Sequence, residues 1–194
     1  MSIIGVDSLF PTVVGTCERN DLIKPIKNII KNMKDDEWVE KGSVSVTILD
    51  KDKKIKKAIT EEVQHFLKEV LSIETKIRMT TSWITKVVKG QLLDVHDHNN
   101  SWISGCFYIQ DNCEIQFSSQ TPQILVEPKV NTVLNSYWIN YEPAPGTMLI
   151  FPSKTKHTAL TYKFDDVRYS LAFNFMPMGM QGSNDSSYRF SYEE

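Results

Sequence analysis

Two amphipathic helices are predicted in the first third of the chain. Over Asp21–Lys34, apolar residues recur at the spacing of one helix face, with Asn20 as the expected N-cap and Pro25 tolerated in the first turn. A second stretch, Ala58–Ser72, repeats this period and places charged residues on its other face. The lysine-rich segment Lys51–Lys57 before it is expected to form a solvated turn. Both helices should therefore pack an apolar face against the rest of the fold.

From Ile77 onward the pattern changes to short runs of β-branched and aromatic residues separated by Gly, Pro, Asn and Asp. Such runs, with no helices between them, indicate antiparallel sheets in a sandwich or barrel. The candidate strands are Ile77–Val88, Trp102–Ile109, Glu114–Phe117, Ile124–Val126, Thr147–Phe151, Thr158–Tyr162 and Arg168–Phe175. The sequence therefore predicts a mainly β fold with N-terminal helices.

The domain organisation is expected to be simple. A chain of 194 residues has the length of one domain, and we find no internal repeat and no linker. We expect one domain over residues 1–194, with helical support over about 1–75, a β core over about 76–178 and a C-terminal arm over about 179–194.

Charge and cysteine content exclude some partners. The chain has 22 Lys+Arg against 24 Asp+Glu and a net charge of -2, so it has no global positive field for nucleic acid. Three cysteines without a C-x-x-C pair suit neither a disulfide framework nor a thiolate zinc site. With no signal-peptide pattern and no apolar run of about 18 residues, we expect a cytoplasmic protein with no membrane partner. Composition does not indicate the oligomeric state.

The β-rich part contains three of the four histidines, His96, His98 and His157, whereas His65 is expected on the exposed side of the second helix. His96 and His98 are two residues apart, so on an extended strand both imidazoles project to one face and could bind one metal ion. Asp97 would then face away. A lone His-x-His pair more often marks hydrogen-bonded histidines than ligands, so the rest of the sequence has to support the metal site.

A second signal comes from the strand that Arg168 begins. The alternate residues that share a face with this arginine are small or polar: Ser170, Ala172 and Asn174. A polar face inside an apolar sandwich is explained most simply by a ligand cavity. The competing interpretation is a surface ion pair of Arg168 with Asp165 or Asp166.

These features occur in an ordered set of motifs. The set consists of Leu9-Phe10-Pro11-Thr12, His96-x-His98, Ser104-Gly105-x-x-Tyr108, Gly146-x-x-x-x-Phe151-Pro152, His157 and Arg168-x-Ser170-x-x-Phe173-Asn174. Together the motifs resemble the 2-oxoglutarate- and Fe(II)-dependent oxygenases, especially prolyl-hydroxylase-like members found in marine phages. The resemblance implies a double-stranded β-helix core (a jelly roll, as in cupins) and the use of Fe(II), 2-oxoglutarate and O2.

The resemblance also implies roles for individual residues. His96 matches the first iron ligand and His157 the distal histidine ligand. Arg168 matches the basic residue that binds the distal carboxylate of 2-oxoglutarate, and Tyr108 resembles the tyrosine that assists it. Two further residues look like members of the co-substrate pocket: Ser170 and Asn174.

One departure from the family concerns position 98. Familiar members have His-x-Asp, whereas this chain has a histidine there. His98 could replace the carboxylate in a three-imidazole site, since Fe(II) accepts imidazole and the dianionic co-substrate compensates charge. Asp94, which is also two residues from His96, is the alternative ligand. His98 is favoured because His-x-His before this strand is what the phage relatives show. The same imidazoles could also bind Zn, Ni, Mn or Co.

The implied activity is that of a 2-oxoglutarate-dependent dioxygenase that hydroxylates a protein or peptide side chain, an amino acid or another small molecule. Two alternatives remain open. A cupin-like three-histidine dioxygenase or isomerase would not use 2-oxoglutarate, and Arg168 would then have no co-substrate role. A non-catalytic jelly-roll binding module would use neither metal nor co-substrate.

Overall fold

The computed structural model describes residues 5, 10–33, 47–119 and 128–191. Within them, one short strand and two α-helices precede the remaining β-strands. The helices are α1 (Ile23–Asn32) and α2 (Lys53–Leu71), and short 3-10 helices occur at Asn20–Leu22, Ile48–Lys51 and Asn184–Ser186. None of the helices in these ranges has the length and apolar character that a membrane crossing requires.

The start of α1 differs from the prediction. Asn20 is not its N-cap: it begins the 3-10 turn that leads into the helix, and the N-cap is Leu22, which provides no side-chain hydrogen bond. Pro25 is the third residue of α1 and therefore lies in the first turn, as expected. Ile26 is fully buried, so the predicted apolar face packs inward.

α2 begins five residues before the predicted start, at Lys53. The cause is Asp52, whose carboxylate accepts hydrogen bonds from the amides of Lys54 and Ile55, each at 3.1 Å. The prediction of a solvated turn over Lys51–Lys57 was therefore wrong, because most of this segment forms the first turns of the helix. His65 is exposed on α2, as predicted.

Ten strands form three antiparallel sheets in the described part of the chain. The strands are β1 (Gly15–Glu18), β2 (Ile77–Val87), β3 (Ile103–Tyr108), β4 (Ile115–Ser118), β5 (Trp138–Tyr141), β6 (Thr147–Pro152), β7 (His157–Ala159), β8 (Arg168–Pro177), β9 (Gly179–Gln181) and β10 (Tyr188–Phe190). The major sheet has the order β1-β6-β3-β8-β2 and the minor sheet β5-β4-β7, while β9 and β10 form a hairpin.

Most predicted strands agree with the structure to within one or two residues. The exception is Thr158–Tyr162, because the strand there is His157–Ala159 and ends earlier. β1, β5, β9 and β10 were not predicted. The candidate strand Ile124–Val126 and residue Leu9 of the first motif lie outside the described residues.

Two apolar clusters hold the sheets in place. One lies between the helices and the outer face of the major sheet, where Leu171, Phe173 and Phe175 of β8 are fully buried. The other lies between the two sheets and contains residues from β3, β4, β6 and the loop between β3 and β4: Tyr108, Cys113, Ile115, Phe117, Leu149 and Phe151. Two antiparallel sheets thus face each other across a core, with helices against one of them, as the sequence predicts.

The alternation along β8 determines which of its residues face the minor sheet. Its odd-numbered residues from 171 to 175 pack against the helices. Arg168, Ser170 and Asn174 therefore project to the opposite face, toward the minor sheet. Ser170 lies opposite Tyr108 of β3, and Asn174 lies opposite Ser104.

Candidate metal centre

Three histidines meet beside the apolar cluster between the two sheets. The ligand atoms of His96, His98 and His157 all lie within 4.8 Å of one another. Their ring centroids are 4.5 Å apart for the pair His96–His157 and 5.2 Å apart for each of the other two pairs. His157 is buried, His98 half-buried and His96 exposed, so the cluster extends from the interior to the surface.

The backbone places all three ligands. His157 is the first residue of β7, and His96 is paired with it in an isolated antiparallel bridge. The amide of His98 donates to the carbonyl of Ser153, 2.9 Å away, in the turn after β6. The loop 96–98 is therefore held to both sheets by main-chain hydrogen bonds.

Hydrogen bonds determine which ring nitrogen of two histidines is available. The Nδ1 atom of His96 lies 2.8 Å from the carbonyl oxygen of Asp94, and the Nδ1 atom of His157 lies 2.8 Å from that of Thr155. A carbonyl can only accept, so both Nδ1 atoms donate, and the lone pair of each neutral ring lies on Nε2. This is the usual outer-shell arrangement of metal-binding histidines. Asp94 contributes its backbone carbonyl, and its carboxylate does not belong to the cluster.

Burial keeps two of the imidazoles neutral. It lowers the pKa of His98 to about 4, with a further lowering by His96. It also lowers the pKa of His157 to about 4, even though the hydrogen bond to Thr155 favours the charged form. Neutral imidazole is the form that binds metals, so both side chains are ready to act as ligands near neutral pH.

Aromatic side chains line the walls around the histidines. The indole ring of Trp83 on β2 lies 5.6 Å from the ring of His98. Phe151 and Phe117 lie 4.9 and 6.2 Å from the ring of His157. Both phenylalanines belong to the inter-sheet cluster that also contains Tyr108, so one continuous apolar wall connects the histidines with the co-substrate residues expected from the sequence.

Arg168 is buried, and among the described residues it has no charged partner. Only 4% of the residue is exposed, and its guanidinium donates one long hydrogen bond, 3.4 Å, to the carbonyl of Glu114. No carboxylate in the described ranges forms an ion pair with it: Asp165 pairs with Lys89 at 2.7 Å, and Asp166 accepts from the hydroxyl of Tyr162 at 2.7 Å. A buried cation without a counterion is costly. The position of Arg168 therefore suits an anionic ligand.

Tyr108 and Ser170 lie beside this arginine, on the face of the major sheet that is turned toward the minor sheet. Burial raises the pKa of the Tyr108 phenol well above its usual value, and Arg168 is close enough to oppose this shift. The phenol is therefore neutral and available as a hydrogen-bond donor. The thiol of Cys106 interacts with both Ser170 and Tyr108, and burial raises its pKa as well. The three described cysteines form no disulfide.

Asn174 takes part in a network of polar side chains. Its amide oxygen accepts from Ser104 at 2.7 Å and its amide nitrogen donates to Thr81 at 2.9 Å. The hydroxyl of Ser104 lies 2.7 Å from that of Ser153, which extends the chain of polar groups to the turn that binds His98. Asn174 thus belongs to a buried network that joins β2, β3 and β8 to this turn.

The sequence motifs did not indicate several of these residues. Phe117, Ser153 and Tyr162 contact the candidate ligands only through the tertiary fold. The only available signal was strand alternation, which places a residue on a face but does not name its neighbour across the sheet.

A comparison with protein families provides the decisive match. The family model described as "Putative 2OG-Fe(II) oxygenase" matches residues 81–174, the segment that contains the three histidines, Tyr108, Arg168 and Asn174. The predicted resemblance to the 2-oxoglutarate/Fe(II) oxygenases is confirmed. A comparison with curated proteins gives no match. The association with phages stays a prediction.

Solved structures of such oxygenases share the fold. HygX from Streptomyces hygroscopicus, solved with nickel and 2-oxoglutarate bound, is 9% identical over 86% of this chain and 83% of HygX, with a TM-score of 0.61. The alpha-ketoglutarate-dependent epimerase SnoN of nogalamycin biosynthesis is 9% identical over 85% of this chain and 78% of SnoN, with a TM-score of 0.63. A prolyl-4-hydroxylase from Pseudomonas putida is 13% identical over 84% of each chain, with a TM-score of 0.53. The predicted double-stranded β-helix is thereby confirmed.

Proposed function

We propose that this protein is a 2-oxoglutarate- and Fe(II)-dependent dioxygenase that acts as a single domain. The observation that supports this function best is the pairing of two features between the two sheets. Three imidazoles converge there, and β8 presents toward the minor sheet a buried guanidinium that has no counterion among the described residues. Neither feature is needed to stabilise a sandwich, and together they match the two binding requirements of the co-substrate.

In this proposal, His96, His98 and His157 hold the iron through ring nitrogens, and His98 takes the place of the usual carboxylate. The donor set fits, because the lone pairs of His96 and His157 lie on Nε2 and the imidazole of His98 is neutral near pH 7. Bound iron, together with 2-oxoglutarate and O2, supplies the oxidising power that replaces a C–H bond of the substrate with C–OH.

The protein's own contribution is binding, orientation and exclusion of water. Arg168 binds the distal carboxylate of 2-oxoglutarate in a charge-assisted contact, which gives the buried guanidinium the counterion that it lacks. The neutral phenol of Tyr108 donates a second hydrogen bond to the same carboxylate, and Ser170 lies beside it. Phe117 and Phe151 keep water away from the space between this carboxylate and the histidines.

We propose a peptide segment as the primary substrate, with an amino acid or another small molecule as the alternative. A cleft of about 660 Å³ opens beside the loop that follows His98. Its lining includes carboxamides and aromatic rings and no charged side chain: Asn99, Asn100, Trp102, Gln181, Tyr188 and Phe190 are among the lining residues. Carboxamides suit the amide groups of a peptide backbone, and the rings suit aliphatic or prolyl side chains.

The experiment that tests the co-substrate is an anaerobic Fe(II) titration, with and without 2-oxoglutarate, monitored by visible absorption. We expect a charge-transfer band that requires both ligands. The band should be lost in Arg168→Ala and recovered at excess 2-oxoglutarate, while the exposed Arg189→Ala serves as the control. Iron binding that is indifferent to 2-oxoglutarate would favour the cupin-like alternative. Absence of iron binding would favour the non-catalytic module.

The substrate class is tested separately, by measuring succinate formed with a library of short peptides and with the free amino acids. We expect peptides to stimulate succinate formation above the uncoupled rate, and Tyr188→Ala to raise the KM for the peptide without changing the KM for 2-oxoglutarate. Stimulation by free amino acids alone would contradict the peptide proposal and support the alternative.

A further inference from the structure

The guanidinium of Arg168 rests on the aromatic ring of Tyr162, a residue that none of the sequence motifs includes. Its Cζ atom lies 5.5 Å from the centroid of the Tyr162 ring. Tyr162 is 3% exposed, so this contact is shielded from water. A cation over an aromatic face is attracted by the ring quadrupole, and the attraction leaves the positive charge in place.

Tyr162 is fixed from three directions. Its amide donates to the carbonyl of Gln91 at 3.1 Å, and its carbonyl accepts from the amide of Gly90 at 2.8 Å. Its hydroxyl donates to the Oδ1 atom of Asp166 at 2.7 Å. The ring is therefore a rigid support for the arginine.

The hydrogen bond between the Tyr162 hydroxyl and Asp166 affects the charge balance around Arg168. Asp166 is two residues from Arg168 and precedes the same strand, so it is the natural partner for an ion pair with it. Such a pair would neutralise the guanidinium and compete with any anionic ligand. Instead, Asp166 is engaged by the Tyr162 hydroxyl, and the neighbouring Asp165 is engaged by Lys89. Both nearby carboxylates are thus bound to other groups.

We propose that Tyr162 is a positioning residue for the co-substrate site: its ring supports the Arg168 guanidinium, and its hydroxyl holds Asp166 away from it, so that the cation stays available to a dicarboxylate. This inference rests on the proposed function, in which 2-oxoglutarate is that dicarboxylate. Tyr162 itself does not touch the ligand in this arrangement. It acts through Arg168.

The test is the affinity of the Mn(II)-loaded protein for 2-oxoglutarate, measured by isothermal titration in the absence of O2. We expect Tyr162→Phe to weaken binding about tenfold, because the released carboxylate of Asp166 then competes with 2-oxoglutarate for the buried guanidinium of Arg168. The double variant Tyr162→Phe/Asp166→Asn should recover the affinity to within about threefold of wild type. A packing role alone would not be rescued by removing a charge.

A third variant distinguishes the contribution of the Tyr162 ring to 2-oxoglutarate affinity from that of its hydroxyl. Tyr162→Leu removes both, so adding Asp166→Asn should restore only part of the affinity. Tyr169→Phe, on the helix-facing side of β8, is the matched control and should bind as wild type does. Thermal unfolding of each variant confirms that it is folded.

The outcomes are distinguishable. If wild type binds Mn(II) but not 2-oxoglutarate, the proposed function and this inference both fail. If wild type binds 2-oxoglutarate and Tyr162→Phe binds it equally well, or if Asp166→Asn does not rescue Tyr162→Phe, only the role of Tyr162 is overturned.

Discussion

His96 and His157 exchange both of their backbone hydrogen bonds, with the amide of each donating to the carbonyl of the other at 3.0 and 2.9 Å. Residues that face each other in an antiparallel pair project their side chains to the same side. The two imidazoles, far apart in sequence, are therefore brought to a centroid distance of 4.5 Å by the main chain. The loop to His98 then needs only one further main-chain bond, to Ser153, to complete the cluster.

The identity of the third ligand can be tested by comparing two variants. We expect His98→Ala to weaken Co(II) binding at least about tenfold, and Asp94→Ala to change it less than about threefold, because only the side chain of His98 belongs to the ligand cluster. Isothermal titration and the d–d absorption of Co(II) measure this. His65→Ala on the exposed surface of α2 is the control. Normal Co(II) binding by His98→Ala would mean that another group completes the site.

The lowered pKa values predict how the metal-free protein responds to acid. The pKa of His98 and of His157 is about 4 in the folded chain, below the value of about 6.5 expected after unfolding. Between these values the unfolded chain binds more protons, so stability is fully present above pH 6.5 and falls as pH drops toward 4. Urea unfolding of the chelator-treated protein at pH 7, 6 and 5 should show this loss.

The comparison variant is His157→Gln, which should show a shallower loss of stability over the same pH range because one of the two imidazoles with a lowered pKa is gone. An equally steep loss in this variant would show that other groups are responsible.

The close approach of β3 to β8 predicts a cost for a single methyl group. A Cβ atom at Gly105 would lie 2.4 Å from the ring of Phe173 and 2.6 Å from the carbonyl oxygen of Leu149. We expect Gly105→Ala to lower the free energy of unfolding by about 1–3 kcal/mol. Denaturant unfolding measures it. Gly5→Ala has no atom within 4 Å of the new Cβ and should be neutral; a neutral Gly105→Ala would mean that the strands separate easily.

The network around Asn174 predicts a structural effect larger than a binding effect. Asn174→Ala leaves the buried hydroxyl of Ser104 and the half-buried hydroxyl of Thr81 each without one partner, so we expect a loss of about 1–3 kcal/mol of stability. The affinity for 2-oxoglutarate should change less than about threefold, since the amide already has partners on both sides. Unfolding and titration of the same variant decide this. A large loss of affinity with unchanged stability would instead favour the co-substrate role expected from the sequence.

Strand alternation accounts for much of what the sequence could predict. It indicated that His96 and His98 share a face, and that Arg168 lies on the polar side of its strand, because both inferences depend only on neighbours two residues apart. Strand β5 escaped detection because three of its four residues are exposed, so it has no buried alternation to recognise. The early start of α2 was not predicted because lysines dominate residues 51–57, where Ile55 is the single apolar residue. Asp52 could have been recognised as an N-cap residue from the sequence.

Strand alternation does not predict contacts between side chains that are distant in the sequence. Nothing local to Tyr162 indicates that its ring supports Arg168, since the contact depends on how a loop after β7 folds back over the start of β8. The same holds for Asp166: its position two residues from Arg168 suggests an ion pair, and only the folded chain reveals the hydroxyl that binds it instead.

The reciprocal bridge between β7 and the histidine loop also bears on how metal binding relates to folding. In proteins whose metal ligands become ordered only when the ion binds, much of the coordination free energy offsets the entropy cost of ordering the chain, and removing the ion unfolds the protein. In this protein, backbone hydrogen bonds hold the histidine ligands in position. The ion enters a formed site, so its departure and return leave the scaffold intact.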